Sequence, residues 1–176
     1  LLYSWGYVPR GKGRILYDVY ILLTLATALG AVLASNLIVF LVCWGVTGIL
    51  LYVLFVYGTK ERTPSTAKKA FIIIGGTDAF MMLGVVLIGQ LNGTFSIQDI
   101  QLTLQEPQAV FAFLCLLLGI LAKVGAIPLH SWLVDTAEDA PTPVTAFLPA
   151  SVDKLLGIYL LARMALDMFA MTSAMY

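Results

Sequence analysis

The stretch GILAKVGAIPLHSWLVD, from Gly119 to Asp135, sets a charged side chain inside an apolar segment and then breaks that segment. Lys123 lies within the run from Leu114 to Ala126, and Pro128 follows five residues later. Near the centre of a bilayer an ammonium costs roughly 3 kcal/mol on insertion scales, so a lysine there is a functional-site candidate by default. Proline removes a backbone donor and clashes with the turn before it. The carbonyls it frees at that depth need an internal cavity or a neighbouring helix. The stretch therefore reads as an interrupted membrane helix built around Lys123.

The rest of the chain has the composition such a helix requires. Of its 176 residues, 60% are hydrophobic and 11% are charged, and the mean hydropathy is +0.94, far above what a soluble domain keeps in solution. Apolar segments of about 20 residues, the length that crosses a bilayer, are predicted at 15–34, 37–57, 70–91, 109–127 and 144–168. The fourth continues past Pro128 as a short helix to about 137. The expectation is an all-α integral membrane protein of five transmembrane helices, the fourth interrupted at Pro128, forming a single module over 1–176. No secretory signal pattern precedes the first span, and the first residue is Leu1 rather than Met. A fragment of a longer subunit is expected.

Basic residues orient the spans. Arg10, Lys12 and Arg14 precede the first, while Lys60, Arg62, Lys68 and Lys69 fill the connection between the second and third. An even number of crossings separates the two groups, so both lie on one face, which the positive-inside rule makes cytoplasmic. The connection from Asn92 to Gln108 faces the other way and carries Asp99 and Glu106 but no lysine or arginine.

Several chemistries are excluded. Cys43 and Cys115 are single thiols in apolar helices and read as small hydrophobes, and His130 is the only histidine, too few members for a His/Cys metal site. There is no glycine-rich phosphate loop, no serine elbow and no basic aromatic patch suited to nucleic acid.

What remains is a set of ionisable groups at membrane depth. Asp78 falls about eight residues into the third predicted span, or roughly 12 Å along it. Asp153 and Lys154 fall near the middle of the fifth; as sequence neighbours they point about 100° apart and face different partners. One reading is that these groups are structural ion pairs, Asp78 neutralising Lys123 or Lys154 so that the bundle can insert. The other is a proton relay, which needs titratable groups at intervals across the slab. A desolvated lysine releases its proton more readily than one in water, as such a relay requires. Two lysines, two aspartates and a broken helix favour the relay.

His130, two residues after Pro128, has two readings: an imidazole passing protons between water and Lys123, or a side chain that caps the next short helix, with Trp132 as an interface anchor. Asp135, Glu138 and Asp139 read as a solvated loop face or as an acidic entrance on the cytoplasmic side.

The segment AKVGAIPLHSWLVDTAEDAPTPVTAFLPASVDKLLGIYLLAR, from Ala122 to Arg163, resembles the signature region of the proton-translocating antiporter-like membrane subunits. These are shared by respiratory complex I, Mrp-type cation/proton antiporters and energy-converting membrane-bound hydrogenases. The likeness rests on the lysine before the break, Pro-Leu-His-Ser-Trp-Leu after it, then Pro-Thr-Pro-Val and the closing Gly-Ile-Tyr-Leu-Leu-Ala-Arg. Trp44 and the course from Lys68 to Asp78 follow the family more loosely.

The resemblance implies the first of two inverted five-helix repeats, each a half-channel. In it Lys123 is the switching proton carrier, Asp78 its acidic neighbour, and His130 a lateral relay, with Asp153 and Lys154 further candidates. It implies proton or cation/proton translocation in a redox-driven complex, NADH dehydrogenase-like or hydrogenase-like. No redox cofactor is expected in this chain; iron-sulfur clusters, flavin or a NiFe centre are expected in partner subunits. The partners implied are other membrane subunits and the lipid bilayer, in a bacterial or archaeal cytoplasmic membrane. The alternative is a scaffold that has lost pumping and only binds its neighbours. The family's glutamate after the second-span tryptophan is absent, since Gly45 follows Trp44, and Pro149-Ala150 stands where many members have His-Ala. The Leu-Pro-Ala-Ser-Val-Asp-Lys-Leu-Leu-Gly wording is similar to the hydrogenase-related branch.

Overall fold

The computed structural model describes residues 2–7 and 12–170, so Arg10 of the N-terminal basic group lies outside the described residues. A short helix α1 (Leu2–Tyr7) precedes α2 (Lys12–Leu33), α3 (Leu37–Phe55) and α4 (Thr63–Asn92). A two-residue strand β1 (Leu102–Thr103) leads to α5 (Pro107–Val124), α6 (Ser131–Asp139) and α7 (Thr142–Phe147). A π-helical turn (Leu148–Val152), α8 (Asp153–Arg163), a second π turn (Met164–Met168) and β2 (Phe169–Ala170) complete it. Five helices are long and apolar enough to cross a membrane: Gly13–Leu33, α3, α4, α5 and the composite Thr142–Met168.

The third span begins earlier than the hydropathy suggests. Pro64 sits in the first turn of α4, where its missing N–H costs nothing and its fixed φ suits a helix start. Lys68 and Lys69 are therefore helical, and Asp78 lies 15 residues after Thr63, roughly 22 Å along the axis and near its midpoint.

The interruption of the fourth span starts before the proline. Gly125 adopts φ +76°, its N–H bonds Ala122 O at 3.2 Å, and the Ala126 N–H bonds Leu121 O at 2.8 Å. This paired closure on a left-handed glycine ends a helix cleanly, so α5 stops at Val124. Pro128 lies in the turn that follows and keeps the helix from resuming until Ser131. The left-handed glycine closes the first half of the span, and Pro128 lies inside the interruption that follows.

The fifth span is also irregular. Pro149 occupies the π turn, and the Asp153 N–H bonds Leu148 O, five residues back. One extra residue in a turn rotates everything after it by about 100°. That rotation decides which of Asp153 and Lys154 faces the bundle.

Helices α2 on α3, α3 on α4, α4 on α5 and α5 on α8 form the packed layers. Where α8 approaches α5 there is room for glycine only, because a Cβ on Gly157 would overlap Val124. Two polar ends close the bundle. At one, Asn36 bridges Ser96 and β1 pairs parallel with β2. At the other, α6 is tied to the start of α4: Thr63 Oγ1 donates to Asp139 O at 3.0 Å, Thr66 Oγ1 to the Asp139 carboxylate at 2.7 Å, Lys60 to Glu138 O, and Lys69 pairs with Asp135 at 2.6 Å. The acidic cluster is thus neither a loop nor fully solvated. Asp139 is buried and the segment is a helix facing the basic connection, because the Asp135 and Asp139 carboxylates and the Glu138 and Asp139 carbonyls meet donors from α4 or its approach.

The interior is two apolar clusters with a polar layer between them. One contains Trp44, Met81, Ile120 and Leu156; the other contains Leu51, Ile74, Trp132 and Leu148. Along the chain, Thr47 separates the clusters on α3, Thr77 and Asp78 on α4, Lys123 on α5, and Asp153 at the start of α8.

Candidate functional site

Lys123 is in the last turn of α5 and only 1% exposed. Its ammonium reaches across to α3, donating to Trp44 O at 2.8 Å and Thr47 Oγ1 at 2.7 Å. The Trp44 ring lies beside it, with Nζ 4.3 Å from the ring centroid, a cation–π distance in a dry setting. The Thr47 hydroxyl donates to Trp44 O at 2.6 Å.

Two carboxylates flank this arrangement. Asp153, also 1% exposed, places Oδ1 3.8 Å from Lys123 Nζ, and neither of its oxygens accepts a hydrogen bond. Asp78 is half-buried and accepts from the Trp44 indole N–H at 2.7 Å. It is joined to the lysine's surroundings through Trp44 rather than directly. The layer thus holds one ammonium and two carboxylates on three spans, with uncharged partners from α3, at a depth where charge survives only when paired or hydrogen-bonded. Such an arrangement has the groups that proton movement needs: an ammonium, two carboxylates and a hydroxyl in one layer, with one carboxylate, Asp153, held by no hydrogen bond.

Of the residues singled out from sequence, Lys123, Asp153 and Asp78 come together here and two others stay apart. The His130 side chain neither caps α6 nor bonds to Lys123; it is half-buried, and Nδ1 has no partner. The Lys154 side chain is half-buried and makes no hydrogen bond or ion pair with a described residue. Trp132 is not an interface anchor. It is fully buried, and its indole N–H donates to Ala122 O at 2.9 Å, beside the glycine closure. The acceptor Thr47 escaped the sequence reading, because a threonine in an apolar helix usually bonds its own backbone. Its only signal was its place three residues after Trp44, on the same face.

Both cysteines are free thiols. Among the described residues no group of three or more His, Cys, Asp or Glu side chains could hold a metal ion.

Residues 34–176 match the family model described as NADH:quinone oxidoreductase/Mrp antiporter, TM. The chain is 34% identical over 174 residues to the chloroplastic NAD(P)H-quinone oxidoreductase subunit 5 of Anthoceros angustus, covering 93% of this chain and 24% of that protein. It is 34% identical over 170 residues to NADH-quinone oxidoreductase subunit L of Buchnera aphidicola, at 92% and 27% coverage. To the Na(+)/H(+) antiporter subunit A1 of Staphylococcus saprophyticus it is 31% identical over 169 residues, at 93% and 21%. The chain thus spans about a quarter of the length of these relatives. A chain of respiratory complex I from Thermus thermophilus superposes with a TM-score of 0.77, at 23% identity, over 88% of this chain and 35% of that one. That likeness is one of fold.

Proposed function

This chain belongs to the NADH:quinone oxidoreductase/Mrp antiporter transmembrane family, and from that premise we propose that it forms a half-channel through which protons, or a cation in exchange for protons, cross the membrane. The observation that carries the reading is the open contact between Lys123 and Asp153. A buried ammonium stands 3.8 Å from a buried carboxylate that accepts no hydrogen bond, beyond the reach of a charge-assisted hydrogen bond. A pair built only to neutralise itself would close. Lys123 is the carrier, Asp153 its direct counter-ion, and Asp78 a second carboxylate reached through the Trp44 indole. His130, at the start of α6, and Lys154, one residue beyond Asp153, are relays toward the surface and toward helices outside this module.

The five-span module works within a larger assembly of membrane subunits whose redox centres, iron-sulfur clusters, flavin or a NiFe centre, lie in partner subunits. Its electron-transfer chemistry is that of an NADH dehydrogenase-like or hydrogenase-like oxidoreductase. The names of the relatives and the hydrogenase-like wording of 148–157 support this. A bacterial or archaeal cytoplasmic membrane is the proposed setting, with the basic residues at 10–14 and 58–69 on the cytoplasmic side.

One observation favours the scaffold reading: α3 carries no carboxylate beside Trp44, since Gly45 stands there. The two readings part on one experiment. In reconstituted vesicles holding the complex, Lys123→Ala abolishes ion translocation coupled to electron transfer while the complex still assembles. Undiminished translocation by that variant sinks the half-channel and leaves the scaffold.

A further inference from the structure

Every group that α3 offers to Lys123 is uncharged. The Nζ hydrogens go to Trp44 O and Thr47 Oγ1, and the third neighbour is the face of the Trp44 ring. Thr47 has spent its own proton on Trp44 O, so toward the lysine its oxygen can only accept. Trp44 is pinned at its other end by the indole N–H on Asp78. Ring, carbonyl and hydroxyl are therefore fixed in one arrangement on one helix face.

This arrangement explains the gap to Asp153. In a low-dielectric layer an ammonium and a bare carboxylate attract strongly, and nothing bonded to Asp153 holds it back. Lys123 stays 3.8 Å away because two acceptors on α3 already hold it. A closed ion pair stabilises the ammonium alone. Neutral acceptors also bond the N–H groups of an amine, more weakly than those of an ammonium, and although the Trp44 ring face favours the charged form, a lysine held this way keeps two partners after it gives up its proton.

We propose that Thr47 and Trp44 are positioning residues that hold Lys123 in a neutral berth on α3, keeping the contact with Asp153 open so that the lysine can part with its proton. The transfer itself requires the 3.8 Å gap to close, or one water to bridge it: an N–H bond of the ammonium then breaks, an O–H bond forms on the Asp153 carboxylate, and amine and carboxylic acid face each other until each is reset from its own side. This inference rests on Lys123 being the carrier.

The test uses Thr47→Val, which keeps shape but removes the acceptor, and Thr47→Ser, which keeps the acceptor. The complex is reconstituted in vesicles, and translocated ions per electron transferred are read across a range of pH with a pH-sensitive dye and radioactive sodium. Thr47→Val is expected to lower translocation about tenfold or more and to move its pH profile, while Thr47→Ser matches wild type in both. Trp44→Phe, which keeps the backbone carbonyl but loses the bond to Asp78, is expected to fall between them. Thr47→Val with wild-type yield and profile overturns the proposal, as does Thr47→Ser failing alongside it, which marks a packing role. Where Thr47→Val does not assemble, Thr47→Ala is judged by the same two criteria. Lys123→Ala in parallel separates the failures. Its silence removes the carrier itself, whereas its loss beside a silent Thr47→Val removes only the berth.

Discussion

Asp153 Oδ1 stands 3.8 Å from Lys123 Nζ, with both side chains sealed from the surface. The carboxylate comes from the fifth span, not from the residue after Trp44, where Gly45 leaves α3 without one. The negative charge that faces Lys123 comes from the helix opposite α3, and the π turn at Pro149 sets the face on which it arrives.

Removing Lys123 leaves Asp153 without a partner in the membrane, and removing Asp153 takes from Lys123 its direct counter-ion. Asp153→Leu and Lys123→Met are each expected to destabilise the module by about 3–5 kcal/mol, and the double variant to recover most of that. Translocation is expected to stay absent in the double variant. Thermal unfolding of the detergent-solubilised complex, set beside vesicle assays, checks both; recovered translocation in the apolar pair would contradict the proton role.

Trp132 joins the two halves of the broken helix through Ala122 O. Trp132→Phe leaves that carbonyl with one donor fewer and is expected to cost about 1–2 kcal/mol, the upper range for a hydrogen bond between membrane helices. Protease protection of the segment between α5 and α6 is the measurement, and faster cleavage is the expected outcome.

Gly125 holds φ +76°, and a Cβ there would come within 2.9 Å of Leu133 Cδ2. Gly125→Ala is expected to lose about 1–2 kcal/mol from backbone conformation alone, with a further loss from the crowding. Because this turn follows Lys123 directly, translocation is expected to fall as well. Wild-type stability in a melting experiment would show that the helix closes some other way.

On the face where α6 meets α4, two contacts of similar length differ in burial. Lys69–Asp135 at 2.6 Å is part-exposed, so Asp135→Asn is expected to cost no more than about 1 kcal/mol and less at high salt. Asp139 is buried against Thr66, and Asp139→Leu leaves the Thr66 hydroxyl without its acceptor while Thr63 keeps the backbone carbonyl, costing about 1–3 kcal/mol. Unfolding at two salt concentrations distinguishes them, since only the first difference shrinks with salt.

Much was legible in the chain itself. Five apolar runs of membrane length, the asymmetry of the basic residues, and a lysine ahead of a helix break require no tertiary information, because the bilayer imposes them on any sequence that crosses it. Lys123, Asp78 and Asp153 stood out for the same reason: charge in an apolar run is costly wherever the run packs.

Tertiary structure decided who meets whom. Whether Asp153 or Lys154 turns inward depends on one extra residue in a π turn, which no regular periodicity contains. That Thr47 is an acceptor for lysine rather than a hydroxyl bonded only to its own helix depends on α5 lying across from α3. Composition and period fix where each helix runs and what it costs to bury. The pairing of charges follows from rotation and approach between helices, set by Gly125, Gly157 and Pro149 acting together across the bundle.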